Sequence, residues 1–228
     1  GGAGLNRLDF ALVERELGRG SMALTHFFGR PQNILMACKD EQIEKYLLPA
    51  VRGELMDALA MTEPDAGSDV RGMKCFAKSE GKDWIVNGTK HFISGAEHAD
   101  FVIVFIATGE EKTEKGPKKK ITAFLVDRGT PGFVIRDGYN SVSHKGYKNM
   151  ILEFDDCRLP KEQVLGEVDG GFEVMNTWLY ATRLTVAAMS VGRARRCFDY
   201  ALNYSADRKQ FGQQIGKFQG VSFQLADM

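Results

Sequence analysis

Three short stretches of this chain carry groups that could do chemistry. The first is Met61-Thr62-Glu63-Pro64-Asp65-Ala66-Gly67-Ser68-Asp69, directly after 55–60, which reads as a buried strand. It cannot be regular structure, because Pro64 removes a backbone donor and pushes Glu63 out of the helical region. Gly67 permits backbone angles that a side chain forbids. Thr62, Ser68 and Asp69 surround that backbone with hydroxyls and a carboxylate. A rigid polar loop at a strand end can hold a ligand; the same residues also make an ordinary turn. The second stretch is Phe92-Ile93-Ser94, ahead of Gly95. A ring two residues from a hydroxyl suits a planar ligand, the ring to stack and the hydroxyl to donate to a ring nitrogen. A core Phe beside a turn Ser is the alternative. The third is Asp207-Arg208-Lys209-Gln210-Phe211-Gly212, at the end of a long helical pattern. The planar guanidinium of Arg208 can clamp a phosphate, or Arg208 is simply a cation at a helix C-terminus.

These residues need elements to position them. Leu8, Leu12, Val13 and Leu17 predict a helix stopped by Gly18 and Gly20. A second helical stretch runs from Met22 to Lys39 with Pro31 interrupting it, and Asp40 N-caps a third that Pro49 ends. After Gly53 the pattern turns to strands. These are 55–60, 73–79 and 84–87, joined at Glu80-Gly81-Lys82-Asp83, with a further turn at Asn87-Gly88. Phe101 to Ala107 is continuously apolar and reads as a strand buried on both faces. Runs at 121–127, 133–136 and 150–154 complete about seven strands, a barrel or sandwich. Beyond Pro160 a long helix carries Phe172, Met175, Leu179, Val186 and Met189 on one face, and a last helix begins near Phe218. The fold class is therefore α+β. It comprises a helical N-terminal segment (1–54), a central antiparallel barrel-like β domain (55–165) and a C-terminal helical bundle segment (166–228).

Composition narrows the function classes. The 228 residues include 30 basic and 30 acidic ones, so the net charge of zero gives no support for a nucleic-acid or anionic-membrane partner. With 43% hydrophobic and 26% charged residues the chain can build a core. No apolar run approaches a membrane span. Residues 110–120 mix three glutamates with five lysines, which reads as a solvated hairpin and not a polyanion contact. Cys38, Cys75, Cys157 and Cys197 form no C-x-x-C pair and read as unpaired, mostly buried thiols of a reducing compartment, such as the cytoplasm or the mitochondrial matrix. His26, His91, His98 and His144 have no metal-ligand spacing, so no metal is expected. There is no G-x-G-x-x-G after a strand, no P-loop, no H-E-x-x-H and no G-x-S-x-G.

Taken together, the 61–69 loop, Asn87-Gly88-Thr89-Lys90-His91-Phe92-Ile93-Ser94 and Arg208-Lys209-Gln210-Phe211-Gly212 resemble the acyl-CoA dehydrogenase family. Thr130-Pro131-Gly132-Phe133 and Leu159-Pro160 also match. The resemblance spans essentially the whole chain and implies a chain truncated at both ends. It implies FAD bound without a Rossmann fingerprint, an acyl-CoA substrate, an electron acceptor such as an electron-transfer flavoprotein, and a homotetramer or dimer. The activity it implies is oxidation of the thioester to the 2,3-enoyl-CoA in fatty acid metabolism. Alternatives on the same scaffold are an acyl-CoA or nitroalkane oxidase, or an interaction protein without catalysis.

Residue by residue, the resemblance implies that Leu59, Met61 and Thr62 line the flavin and that Ser68 contacts both flavin and thioester. Phe92, with Ile93, stands where many members have Trp against the flavin face, and Ser94 where a hydroxyl approaches flavin N5. Arg208, Phe211 and Gln219 match residues reaching a neighbouring subunit's FAD. Tyr180 and Arg183 bound a substrate-lining segment. The catalytic base is unknown: most members place it beyond the position of Met228, and some at the position of Thr182, which cannot be a carboxylate base. Lys145-Gly146-Tyr147-Lys148-Asn149 departs from the family's Arg-x-Ser-x-Thr pattern.

Overall fold

A computed structural model describes residues 4–21, 31–114, 116–142, 145–146 and 148–228. His26, Lys115, His144 and Tyr147, and the first part of the helix expected from Met22, lie outside the described residues. The chain divides into two compact units, residues 26–180 and residues 1–25 with 181–228.

The larger unit is built on one curled sheet. Its strands are β1 (Asp57–Ala60), β2 (Phe76–Glu80), β3 (Asp83–Ser94), β4 (Phe101–Thr113), β5 (Gly116–Asp127), β6 (Phe133–Tyr139), β7 (Asn149–Pro160) and β8 (Val164–Leu165). They form an eight-stranded sheet in the order β6-β7-β3-β2-β4-β5-β8, with β1 added alongside β4. Most pairs are antiparallel, but β1 runs parallel to β4 and β2 touches β4 in parallel. The sheet is thus mixed.

Alternation along β4 explains where the core sits. Phe101, Ile103 and Phe105 pack with Ile34, Leu35, Tyr46, Met73 and Met175. Val102, Val104 and Ile106 point the other way, to Trp84, Val86, Leu152 and Phe154. A strand buried on both faces must be apolar at every position, which is how 101–107 reads in sequence. Past Ala107 the same two strands run out into water as a ribbon. There Glu110 sits opposite Lys119 and Glu111 opposite Lys118, so the mixed charges pair across the strands.

Two local expectations fail for clear reasons. Asn87-Gly88 is not a turn: it lies within β3, at a shift in the β3–β7 register. Gly88 has φ +136°, and a Cβ there would lie 2.6 Å from the Cys75 Cα, so glycine serves close approach inside a strand. Pro49 does not end its helix. A π turn over Ile43–Leu47 leads into α2 (Leu48–Arg52), with Pro49 in the first turn of α2. A wider turn just before the proline accommodates its missing donor, and Gly53 at φ +73° stops the helix instead. The part of the expected second helix that is described is a short 3-10 helix, Asn33–Ala37.

Asp57 anchors β1. Its carboxylate accepts the Gln32 N–H at 3.0 Å, and Gln32 Oε1 accepts the Trp178 indole N–H at 2.6 Å. Burial pushes the Asp57 carboxyl up from 3.8 to about 6. The native state therefore binds the extra proton between those two values, and Asp57 lowers stability as pH rises from about 4 through 6. Asp57→Asn is expected to stabilise the fold above pH 6 by ~2–3 kcal/mol, with little change below pH 4. Urea midpoints measured at pH 4 and pH 8 check this; an equal shift at both pH values would refute it.

The smaller unit is helical. α1 (Arg7–Gly18) is N-capped by Asn6, whose side chain accepts the N–H of Leu8 and Asp9. It packs against α3, which runs from Gly171 to Asp207. A Cβ on Gly192 would lie 1.8 Å from the Arg15 carbonyl oxygen, so the two backbones meet directly. The apolar residues Leu8, Leu12 and Val13 of α1 are exposed, while Glu14 and Gly18 are buried. Beyond α3 come β9 (Lys209–Gln210), β10 (Gln213–Gln214) and α4 (Gln219–Asp227). No helix among the described residues is long and apolar enough to cross a membrane.

Candidate functional site

The 61–69 loop is shaped by a buried ion pair. Glu63 is 5% exposed, and Lys90 on β3 is fully buried. Lys90 Nζ donates to Glu63 Oε1 at 2.7 Å and to the Met61 carbonyl at 3.1 Å. The Glu63 carboxylate also accepts the N–H of Lys74 at 2.5 Å and of Cys75 at 3.2 Å. Glu63 and Ala66 exchange backbone bonds, and the His91 N–H donates to the Thr62 carbonyl at 2.8 Å. Charges removed from water persist only with bonded partners, and here Glu63 finds them in Lys90 and in the backbone at 74–75, and Lys90 in Glu63 and the Met61 carbonyl. Glu63 is thus committed to Lys90 and two peptide N–H groups, which removes it as a free base.

Lys90 escaped the sequence reading, although its signal was there. Trp84, Val86 and Lys90 share one parity of β3, and the first two are core residues. A lysine on that face must point inward and needs an anion.

Directly after Lys90, β3 bulges. The β3–β7 register shifts between Lys90 and Ile93, and Phe92 sits in the gap with φ +59°. The extra residue leaves Ile93 buried and turns Phe92 outward, 55% exposed. Its ring centroid lies 4.6 Å from that of Tyr139, tilted by 32°. The Tyr139 hydroxyl and His91 Nδ1 are hydrogen-bonded at 3.0 Å. Ser94, at the end of β3, is exposed, and its Oγ donates to Asn149 Oδ1 at 2.9 Å. Turning the Asn149 amide over would present its N–H₂ instead and free the Ser94 proton.

Met61 and Thr62 are half-buried and bonded to Lys90 and His91, so the structure ties them to the β3 residues that lead into the Phe92 bulge. Leu59 lies one position before the last residue of β1 and is half-buried. Ser68 is exposed further along the loop, and Tyr180 is exposed on α3.

The remaining predicted residues belong to the smaller unit. Arg183 is exposed on α3. Arg208 is exposed just past the end of α3, its N–H bonded to the Tyr204 carbonyl at 2.8 Å. Phe211 and Gly212 link β9 to β10 with φ +50° and +78°. Positive φ at both positions is the geometry of a tight hairpin turn that favours Asn and Gly. Phe211 is nonetheless there, and 92% exposed. Gln219 is exposed at the start of α4.

Among the described residues, the non-glycine positions with positive φ are Asp40, Phe92, Asp156, Asp169 and Phe211. Aspartate tolerates that conformation; a bulky ring there is an outlier that costs of order 1–3 kcal/mol. Both outliers are exposed phenylalanines inside stretches singled out for chemistry. A ring held outward at such a cost, as Phe92 is beside the exposed Ser94 hydroxyl, could stack against a planar ligand. The described residues hold no cluster of His, Cys, Asp or Glu suited to a metal. All four cysteines are free thiols, and burial pushes Cys38, Cys75 and Cys157 up to about 11.

The half-barrel followed by a helical segment defines a class of fold, and comparison with known proteins gives the family. Residues 58–157 match the model for the acyl-CoA dehydrogenase middle domain, and 169–228 the model for the acyl-CoA dehydrogenase C-terminal domain. The chain belongs to the acyl-CoA dehydrogenase family. It is 35% identical to a mitochondrial isovaleryl-CoA dehydrogenase of Pongo abelii, covering all of this chain and 55% of that protein. It is 34% identical to the caffeyl-CoA reductase-Etf complex subunit CarC of Acetobacterium woodii, covering all of this chain and 60% of that protein. The structure superposes on butyryl-CoA dehydrogenase from Megasphaera elsdenii with a TM-score of 0.85 and 33% identity, over 99% of this chain and 59% of that one. The chain thus spans somewhat more than half the length of these relatives.

Proposed function

We propose that this chain belongs to an FAD-dependent acyl-CoA dehydrogenase, which removes an α-proton and a β-hydrogen from an acyl-CoA thioester to give the 2,3-enoyl-CoA. The carrying observation is the exposed, left-handed Phe92 beside Ser94 and the bonded Met61–Thr62 segment. When bound, FAD supplies the acceptor for the β-hydride. Phe92 offers it a stacking face, Met61 and Thr62 with Leu59 adjoin it, Ile93 has only backbone to offer because its side chain is buried in the core, and Ser94 supplies a hydroxyl. Arg208, Phe211 and Gln219 are assigned to contacts with the FAD of a neighbouring subunit. Ser68 is assigned to both the flavin and the thioester, and Tyr180 and Arg183 to the substrate. No base is assigned within these residues.

The division at 1–54, 55–165 and 166–228 is part of the same proposal. So are homo-oligomeric assembly, a role in fatty acid metabolism and a reducing compartment, the last supported by the free thiols. An electron-transfer flavoprotein is the proposed acceptor, supported by the relative named for an Etf complex.

Full-length protein reconstituted with FAD should bleach its flavin absorbance under anaerobic conditions when acyl-CoA is added. Failure to retain FAD, or to bleach with any acyl-CoA, overturns the proposal. Ser94→Ala is expected to slow flavin reduction by about 10–100-fold while FAD retention changes little. Equal loss of both would make Ser94 a structural residue.

A further inference from the structure

We propose that Tyr139 is a positioning residue for Phe92, fixing the plane that the Phe92 ring offers to the flavin; this rests on the flavin reading above. Phe92 needs such a partner. Its backbone is fixed by the bulge, but a ring that is 55% exposed has little around it to select one rotamer. Tyr139 supplies the close contact, a tilted pair at 4.6 Å between centroids and 32° between planes, within the separation at which aromatic rings attract. The His91 ring lies farther from Phe92, at 6.1 Å and nearly edge-on.

Tyr139 is in turn held from two sides. Its hydroxyl is bonded to His91 Nδ1 at 3.0 Å, and its backbone ends a second bulge, where the β6–β7 register shifts between Arg136 and Tyr139. In the sheet β7 lies between β6 and β3. Both bulged strands pair with the same residue of β7, Asn149, through Tyr139 on one side and Ser94 on the other. The two irregularities therefore converge, and their rings meet across the intervening strand. Without the bulge on β6, Tyr139 would keep the regular register and its ring would have no cause to reach Phe92. Phe92, His91 and Tyr139 form one unit in which Tyr139 touches both of the others.

The test uses FAD-loaded full-length protein and three variants. Tyr139→Ala removes the ring, Tyr139→Leu fills its volume without a ring, and Tyr139→Phe keeps the ring but loses the hydroxyl. Tyr139→Ala is expected to shift the visible flavin absorption and slow anaerobic flavin reduction by about tenfold, with FAD retained and apo-protein melting little changed. Tyr139→Leu should do the same, and carries the test if the alanine variant fails to fold. Tyr139→Phe should keep the parent spectrum and a rate within about threefold of the parent, because the stacking contact survives. Parent-like spectra and rates in the ringless variants overturn the proposal while leaving the flavin reading intact. Loss in Tyr139→Phe equal to that in Tyr139→Ala also overturns it, since the ring would not be what matters. A parent protein that binds no FAD overturns the flavin reading and this inference together.

Discussion

Lys90→Met is expected to cost about 3–5 kcal/mol of stability and to release the 61–69 loop. The substitution conserves most of the side-chain volume, so the loss is electrostatic. It strands the Glu63 carboxylate, 5% exposed, without its cation, and leaves the Met61 carbonyl without the 3.1 Å bond. A buried pair is weak evidence of net stabilisation, yet breaking one side of it is costly because the remaining charge has no partner. The double variant Lys90→Met/Glu63→Gln should recover a large part of the loss, because the amide oxygen can still accept the Lys74 and Cys75 N–H groups without carrying a charge. Urea unfolding of the two single variants and the double variant measures the coupling. A loss below about 1 kcal/mol in Lys90→Met would show that the pair lies in water and does not organise the loop. In the FAD-binding protein the same variant should weaken flavin retention, since Met61 and Thr62 are the backbone that the pair holds in place.

Gly138→Ala should be the most damaging small change near the aromatic group. A Cβ there would fall 1.9 Å from the carbonyl oxygen of Asn149, a backbone atom with no room to give. β6 must then move away from β7, at a cost of about 1–3 kcal/mol by the usual scale of overpacking. The displacement reaches Asn149, which accepts the Ser94 hydroxyl at 2.9 Å, and Tyr139, which follows in sequence. The expected result is a lower melting temperature together with faster amide exchange at 149–152, while exchange in β4 and β5 is unchanged. A protein that melts as the parent does would mean that the close approach is not there.

Much of this arrangement can be read from residue order alone. The helical, then β, then helical order follows from periodicity. The doubly buried first half of β4 follows from seven apolar residues in a row, a run of strand length rich in β-branched and aromatic residues. A solvated hairpin at 110–120 follows from its mixed charge, whereas the facing of Glu110 with Lys119 and Glu111 with Lys118 is set by the strand register. The candidate site was legible because its unusual residues are local: a proline-stiffened loop, a Phe-x-Ser at a strand end, and an Arg-to-Gly segment after a helix. Sequence also held the clue to Lys90, in the parity of β3, but its meaning depended on a partner 27 residues away.

What order along the chain could not decide is where short-range conformation yields to packing. Asn87-Gly88 has strong turn chemistry, yet it stays in a strand because Cys75 presses against Gly88. Pro49 looks like a helix stop, yet a π turn accommodates it. Tyr139 and Asn149 carry no signal of their own. They matter because two bulges on strands either side of β7 bring Tyr139 and Ser94 to one residue and set the Phe92 ring against Tyr139. By itself the sequence determined which groups are available and which elements carry them, because propensity, periodicity and turn chemistry act over a few residues. Only the tertiary structure decided that Glu63 is spent on Lys90 and that Phe92 is turned outward. Both outcomes depend on burial and register between strands distant in sequence, and those are set when the sheet closes.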